Sequence, residues 1–259
     1  MKTRSLIRKL ATFYPKRLRE KYDFGGLEIG RYKEETTRIF LALDFDESLL
    51  GEVSSFHPDL IITHHPFFFG KASRILETDG QKKRCYDFLL KERIPLASYH
   101  TNFDRATFGM NDALAEALEL ENIKPLEGDD MARGGTLKKS MPIEEFVSYA
   151  LEKLNASYGG LIGEGKKNIR SVAIIGGGGS RSYKAAIEEG YDIFLSGDCP
   201  HHIRREIILS HYNYLDLPHE IESIFIDRMT NILLTIDHSL TIKGIKHEKP
   251  WSLCQRDSK

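Results

Sequence analysis

The sequence contains few cysteines and no long apolar run. Only three cysteines occur in 259 residues, and Cys85, Cys199 and Cys254 form no C-x-x-C pair. An odd number of widely spaced cysteines is typical of reduced thiols rather than of a disulfide framework. No segment approaches the ~18 consecutive apolar residues of a membrane span, and the N-terminus lacks the apolar stretch of a signal peptide. We therefore expect a cytoplasmic protein with no membrane partner.

An excess of charge is also absent. Lysine and arginine together number 37 and aspartate and glutamate 38, so the formal net charge is −1. A nucleic-acid-binding domain is expected to show a basic excess, so we expect no nucleic-acid partner. Apolar residues make up 41% of the chain, which is sufficient for a core without disulfides or other cross-links. The length fits one large domain or two of modest size.

Apolar runs alternate with helical patterns in the first half of the chain. The runs "TRIFLALDF", "DLIITHH" and "IPLASYH" have the character of strands buried on both faces. Helical patterns such as "GQKKRCYDFLLKERI" separate them. This order predicts a mostly parallel sheet covered by helices.

A second unit with the same character begins near Pro125. It contains the predicted strands "RGGTLKKS", "RSVAIIGGGGS", "YDIFLSGD", "YNYLDL" and "SLTIKGI", and a long helix that starts at about His219. We predict two α/β lobes, residues 1–125 and 126–259, with the C-terminal helix in the second lobe.

Histidines stand where two neighbouring strands are predicted to end. His64 and His65 close one strand, and His100 and Asp104 follow the next. Ligands collect outside the carboxyl ends of parallel strands. Imidazole and carboxylate together suit a divalent ion such as zinc, manganese or iron. Because adjacent strand residues diverge, we expect the two neighbouring histidines to serve different metal ions unless the chain turns at them.

Two later strand ends are also polar. His219 and Glu222 are three residues apart, which places them on one face of a helix. Asp198 and His202 follow the strand "YDIFLSGD". His202 has two interpretations: a residue that lines the same cleft, or a solvent-facing histidine on a helix that Asp198 caps.

The glycine run "GGGG" at 176–179 also has two interpretations. It lies between a strand and a helix, where free N–H groups suit a phosphate. It equally fits a tight turn that needs glycine for its backbone geometry.

Seven segments occur in an order that resembles the Nif-three-like family, often labelled GTP cyclohydrolase I type 2 homologs. The segments are "FGGLEIG", "ALDFDE", "ITHHPFFF", "SYHTNFD", "VAIIGGGG", "SGD" and the His219–Glu222 pair. The resemblance implies two similar α/β lobes with mixed, largely parallel sheets, a two-metal site in the cleft between them, and a homohexamer. It also implies the metal ligands His64, His65, Asp104, His219 and Glu222. The chain departs from the family in having Pro218 before the late histidine and in the spacing of the late glutamate, so Glu220 is the alternative last ligand.

The resemblance implies a metal-dependent hydrolase that uses two divalent ions, zinc, iron or manganese. His100 or His202 would then carry the proton near neutral pH. The substrate would be a nucleotide or a related phosphorylated or heterocyclic small molecule, and GTP ring opening is one specific case. Two other functions fit the same ligands: a protein that binds or delivers metal without turnover, and an interaction scaffold that the metal stabilises.

Overall fold

A computed structural model describes residues 1–254 and contains ten α-helices and eleven strands in that range. The helices are α1 (Thr3–Phe13), α2 (Leu50–Phe56), α3 (Ala72–Thr78), α4 (Gly80–Lys91), α5 (Thr101–Arg105), α6 (Met110–Ala117), α7 (Ile143–Lys153), α8 (Tyr183–Glu188), α9 (His201–Leu209) and α10 (Ile224–Ile236). The strands are β1 (Gly26–Ile29), β2 (Arg38–Ala42), β3 (Leu60–Thr63), β4 (Leu96–Ser98), β5 (Glu121–Pro125), β6 (Arg133–Pro142), β7 (Gly160–Gly163), β8 (Asn168–Ile174), β9 (Ile193–Gly197), β10 (Asn213–Leu217) and β11 (Thr241–Gly244). The predicted α/β class, with two mixed sheets covered by helices, is confirmed.

The chain divides into two compact units. The first comprises Met1–Gly109 and Ser223–Glu248, and the second comprises Met110–Glu222 together with residues 249–254. This division falls earlier than the predicted boundary between residues 125 and 126. It also assigns α10 to the first unit rather than the second.

The sheet of the first unit has the strand order β1-β4-β3-β2-β11. β2, β3, β4 and β11 run parallel, while β1 pairs antiparallel with β4 at the edge. All four residues of β3 are buried, as expected for a strand covered on both faces. The carboxyl ends of β2, β3 and β4 therefore meet at one edge of the sheet, and the chain that follows each of them carries a polar residue.

One face of this sheet is covered by an apolar cluster. α4 contributes Cys85 and Leu89, which pack with Phe40 and Ile61 of the central strands. Burial raises the pKa of the Cys85 thiol to about 11, so this cysteine acts as an apolar core residue.

The sheet of the second unit has the order β5-β6-β8-β9-β10-β7. Its centre, β8-β9-β10, is parallel, and the remaining pairs are antiparallel. Its core cluster includes Ala173, Phe194 and Tyr214 on the three parallel strands. The ends of β9 and β10 are adjacent, and Asp198 and His219 follow them.

The sequence patterns did not indicate β1, β5 and β7. All three are edge strands of four or five residues with mostly exposed or half-buried side chains, so they lack both an apolar run and a clear alternation. His219 begins a turn of 3₁₀ helix at His219–Ser223, and α10 begins only at Ile224. Among residues 1–254, no helix combines the length and the apolar character that a membrane crossing requires.

Candidate metal centre

The chain turns at the end of β3, and this turn brings His64 and His65 to the same side. The amide groups of both residues donate to the carbonyl oxygen of Leu43, over 3.2 and 3.0 Å. An extended strand would send the two side chains to opposite faces. Here the imidazole centroids lie 4.9 Å apart. The expected divergence of the two rings is therefore absent, because the strand has already ended at Thr63.

The tautomer of His64 follows from its hydrogen bond. Its Nδ1 lies 2.9 Å from the carbonyl oxygen of Tyr99. A carbonyl only accepts, so Nδ1 carries the proton and Nε2 presents its lone pair. That Nε2 lies 3.4 Å from Oδ1 of Asp104. Two ligands of a tetrahedral ion with bonds of about 2.0–2.1 Å are separated by about 3.3 Å, so the His64 and Asp104 atoms are spaced as two ligands of one ion would be.

The carboxylate of Asp44 orients His65. Nδ1 of His65 donates to Oδ2 of Asp44 over 2.8 Å, so Nε2 is the nitrogen that carries the lone pair and could act as a metal ligand. Burial alone would raise the pKa of Asp44, but the hydrogen bond from His65 and the nearby positive charge of Lys82 lower it overall. Asp44 therefore stays ionised and fixes both the ring orientation and the tautomer of His65.

His100 completes a group of three imidazoles. His64, His65 and His100 each present a ring nitrogen within 4.8 Å of the other two, and we call these three residues the histidine cluster. Nδ1 of His100 lies 3.2 Å from Oδ1 of Asp23. Burial raises the pKa of Asp23, but hydrogen bonds from His100, Thr101 and the Gly25 amide lower it well below its usual range.

Asp104 is carried by α5, a helix held in place by polar contacts at its first residues. Oγ1 of Thr101 donates to Oδ2 of Asp23 over 2.6 Å. The buried Asn102 donates to the carbonyl oxygen of Tyr14 over 2.7 Å. The polar residues of "HTNFD" thus position this helix, and Asp104 projects from it toward His64.

Glu28 of β1 holds the loop that follows the two histidines. Its carboxylate accepts the amide N–H groups of Phe67 and Phe68, at 3.0 and 2.8 Å, and the hydroxyl of Ser98 at 2.7 Å. Burial raises the pKa of Glu28 despite these bonds. The loop after His65 is therefore anchored by a residue from an edge strand.

The second unit carries a separate arrangement around His219. Nε2 of His219 lies 3.0 Å from Oε2 of Glu222, and Nδ1 lies 2.5 Å from Oδ2 of Asp198. We call His219, Glu222 and Asp198 the His219 group. Asp198 has a positive φ of 52°, which is uncommon for a residue other than glycine, and Glu222 is buried.

The glycine run makes room for this group. A Cβ on Gly177 would lie 2.6 Å from Oε1 of Glu222 and 3.2 Å from Cε1 of His219, and the φ of Gly177 is 59°. The carbonyl oxygen of Gly177 also accepts the Gly197 amide over 2.8 Å. These contacts give the run a role in backbone geometry, and phosphate binding there stays a prediction.

Two other predicted residues lie apart from these contacts. Glu220, the alternative last ligand, lines a cavity beside His219, whereas Glu222 is the carboxylate next to Nε2. His202 is exposed on the first turn of α9 and is not among the residues that line this cavity.

Asp44, Asp23 and Glu28 were not singled out from the sequence, and Asp198 was considered only as a helix cap. Their positions in the sequence were the available signal. Asp198 directly follows the buried strand β9, and Asp44 is the second residue after the buried strand β2. A carboxylate at such a position is well placed to orient a histidine that follows the neighbouring strand.

Comparison with known proteins agrees with the resemblance of the motifs. A sequence model described as Duf34/NIF3 (NGG1p interacting factor 3) matches residues 1–250. The chain belongs to the Duf34/NIF3 family. A protein named "GTP cyclohydrolase 1 type 2 homolog" from Clostridium perfringens is 31% identical over 225 residues, covering 85% of this chain and 86% of that protein. One of the same name from Methanocaldococcus jannaschii is 32% identical over 206 residues, covering 78% and 82%.

Solved structures of this family share the fold. The Bacillus cereus protein related to NIF3 superposes with a TM-score of 0.89 at 19% identity, covering 98% of this chain and 99% of that one. Reduced HcgD from Methanocaldococcus jannaschii gives 0.80 at 27% identity, covering 94% and 97%. These likenesses support the family fold of two helix-covered sheets.

Proposed function

We propose that this Duf34/NIF3 protein binds two divalent metal ions through His64, His65, Asp104, His219 and Glu222, and that it is a metal-dependent hydrolase. One observation carries the proposal. His65 and His219 each donate Nδ1–H to a carboxylate at a strand end, Asp44 and Asp198. This is the arrangement in which a metal-binding histidine is commonly held, with Nε2 as the ligand atom of each ring.

The donor set indicates the type of metal. Imidazole nitrogens and carboxylate oxygens suit zinc, iron or manganese. Cys199 lies on the wall of the cavity beside His219, and burial raises the pKa of its thiol. The ligands proposed above are histidines and carboxylates, so the proposed donor set consists of nitrogen and oxygen.

The metal ions and the protein side chains would have different roles in hydrolysis. When bound, a pair of divalent ions lowers the pKa of a water and polarises the group that the water attacks. His100 is the better of the two proton carriers predicted, because it lies in the histidine cluster and the Asp23 carboxylate fixes its ring. Asp44 and Asp198 act as positioning residues that keep His65 and His219 in the tautomer required.

The names of the relatives suggest a substrate to test. Several are called "GTP cyclohydrolase 1 type 2 homolog", so a nucleotide or a related heterocyclic compound is the first class to try. Incubation of metal-loaded protein with GTP should yield formate and a pterin product if the ring-opening reaction occurs. The absence of both products would remove this reaction while leaving other hydrolytic reactions to be tested.

The experiment that tests the proposal is elemental analysis of protein purified without chelator, followed by a panel of phosphoester, amide and purine-nucleotide substrates. We expect two equivalents of zinc, iron or manganese per chain, and turnover that a chelator abolishes. His65→Ala should lose metal and activity, while His238→Ala, which changes an exposed histidine, should retain both. Protein without metal would contradict the proposal, and two bound ions without turnover would favour a metal-binding or metal-delivery role.

We also propose that the chain is cytoplasmic and assembles into a homohexamer. The free state of Cys85, Cys199 and Cys254 supports a reducing compartment. Exposed apolar side chains on and next to the edge strand β1, Phe24 and Leu27 among them, support assembly, because such residues commonly mark interfaces. Light scattering coupled to size-exclusion chromatography measures the mass and would contradict the hexamer if it gave the 29.6 kDa monomer.

A further inference from the structure

A cavity of about 460 Å³ lies in the second unit beside His219. This volume is within the range of small-molecule sites, about 300–1,000 Å³. Its wall is formed by the ends of β9 and β10, by residues that begin β7, and by the C-terminal segment that contains Trp251.

The charged residues that line this cavity are acidic. Asp198, Asp216 and Glu220 contribute carboxylates, and none of the lining residues in the described part of the chain is a lysine or an arginine. Burial, followed by the negative charges of Glu220, Asp198 and Asp216, raises the pKa of Tyr158. The three carboxylates and Tyr158 thus line the same cavity. Such a wall attracts cations and hydrogen-bond donors, and it repels phosphate and carboxylate groups.

The rest of the wall is suited to a flat ring. Tyr158 and Trp251 present aromatic side chains, and Gly159 and Gly160 add backbone without side chains. Trp251 is 78% exposed, although an indole is among the side chains that gain most from contact with an apolar or cationic partner. Aromatic faces beside carboxylates are the combination that holds a planar cation.

We propose that this cavity binds a planar ring that bears amino or amidino groups, with the carboxylates of Asp216 and Glu220 accepting its N–H groups and Trp251 stacking on its face. Binding in this cavity does not depend on a metal ion. We further propose that this ring is part of the substrate; that step rests on the proposed function, because His219 lines the cavity and is also a proposed metal ligand.

The chain contains one tryptophan, so intrinsic tryptophan fluorescence reports on this cavity alone. The probes are benzamidine, a planar amidinium, and benzoate, which has nearly the same shape and the opposite charge. Both are titrated into chelator-treated protein and into metal-loaded protein. We expect saturable quenching or a spectral shift with benzamidine in both preparations, and no saturable response with benzoate.

Variants locate the response. Asp216→Asn and Glu220→Gln keep the size of each side chain and remove its charge, and each should weaken benzamidine binding about tenfold, as expected for the loss of a charge-assisted hydrogen bond. Glu145→Gln on the exposed face of α7 removes the same charge outside the cavity and should bind as the wild type does.

The outcomes separate this inference from the proposed function. Equal responses to benzamidine and benzoate, no response in chelator-treated protein, or unchanged binding by both cavity variants would overturn the inference, whatever the metal content. Selective benzamidine binding by protein that takes up no metal would support the cavity and contradict the proposed function.

Discussion

Asp198 holds Nδ1 of His219 at 2.5 Å, and the two residues come from the ends of neighbouring parallel strands, β9 and β10. The first unit repeats this relation. Asp44 follows β2, His65 follows the parallel neighbour β3, and Asp44 accepts Nδ1 of His65 over 2.8 Å. Both sheets thus contain the same local arrangement, in which an aspartate after one strand orients the histidine after the neighbouring parallel strand.

The carboxylates that orient the histidines should control metal affinity. Asp44→Asn and Asp198→Asn keep an oxygen that accepts the histidine N–H, but they remove the negative charge that makes the imidazole a better donor. Such partners typically change affinity 10–100-fold, and we expect a loss of that size for each variant. Competition with a chromogenic chelator measures the affinity.

The matched control for these variants is Asp87→Asn. Asp87 is exposed and pairs with Lys83 on α4, so its loss changes the net charge equally without touching a proposed ligand. Metal affinity equal to the wild type in Asp44→Asn and Asp198→Asn would show that the two carboxylates do not support metal binding.

Alanine substitutions at two neighbouring glycines of the run, Gly177 and Gly178, should have different effects on stability and metal binding. Gly177→Ala places a methyl group 2.6 Å from Oε1 of Glu222 at a φ of 59°, whereas a Cβ on Gly178 meets nothing within 4 Å. The left-handed conformation alone costs about 1–2 kcal/mol for alanine. We expect Gly177→Ala to lower the free energy of unfolding by at least that amount and to weaken metal binding.

Urea unfolding and metal titration of the two alanine variants provide the measurement. Gly178→Ala should match the wild type in both. If the two variants behaved alike, the close approach of the Gly177 backbone to Glu222 would have no energetic consequence.

The sequence predicted the fold class and the candidate ligands where an apolar run, which indicates a buried strand, is followed directly by histidine or carboxylate residues. β2, β3 and β9 contain continuous apolar runs, β8 ends in one, and the predicted class followed from them. The histidines of "ITHHP" and the His219–Glu222 pair could be proposed as metal ligands because histidines at the ends of buried strands are unusual for residues that only pack in a hydrophobic core. The metal site was predicted from several such strand ends taken together, because no single pair was sufficient.

The remaining features depend on long-range pairing that composition does not encode. Glu28 is one of many glutamates, and only its pairing across β1 and β4 brings it to the amides of Phe67 and Phe68. Trp251 follows β11, a strand of the other sheet, yet it lines the cavity beside His219. The turn at His64 and His65, after β3, likewise depends on the carbonyl oxygen of Leu43, which directly follows the neighbouring strand β2.

Glu28 should be important for stability as well as for the site. Glu28→Ala leaves the amide groups of Phe67 and Phe68 without their acceptor, and an unsatisfied buried donor costs about 1–3 kcal/mol. We expect a loss of at least that size in the free energy of unfolding, measured with urea. Glu77→Ala on the exposed face of α3 should change it by less than about 0.5 kcal/mol, and a similarly small effect of Glu28→Ala would contradict the anchoring role.

His247 should make stability depend on pH in the alkaline range. Its Nε2 lies 3.0 Å from Oδ2 of Asp46 and its Nδ1 lies 3.1 Å from Oε1 of Glu248. The close contact with the Glu248 carboxylate is the largest effect on the pKa of His247, burial opposes it, and the contacts with Asp46 add to it, so that the pKa rises from 6.5 to about 9. Because the folded state holds the proton more tightly, the stabilisation is fully present below pH 6.5 and is lost as the pH rises through about 9.

His247→Gln isolates this contribution. Urea unfolding of the wild type and the variant, measured across the range from about pH 6 to about pH 10, gives the difference in free energy of unfolding at each pH. We expect the wild type to be more stable by about 1–2 kcal/mol at the acidic end, after allowance for solvent screening of the ion pairs, and the difference to vanish at the alkaline end. A constant difference across the range would mean that His247 contributes through packing, because only a proton bound more tightly in the folded state makes the difference depend on pH.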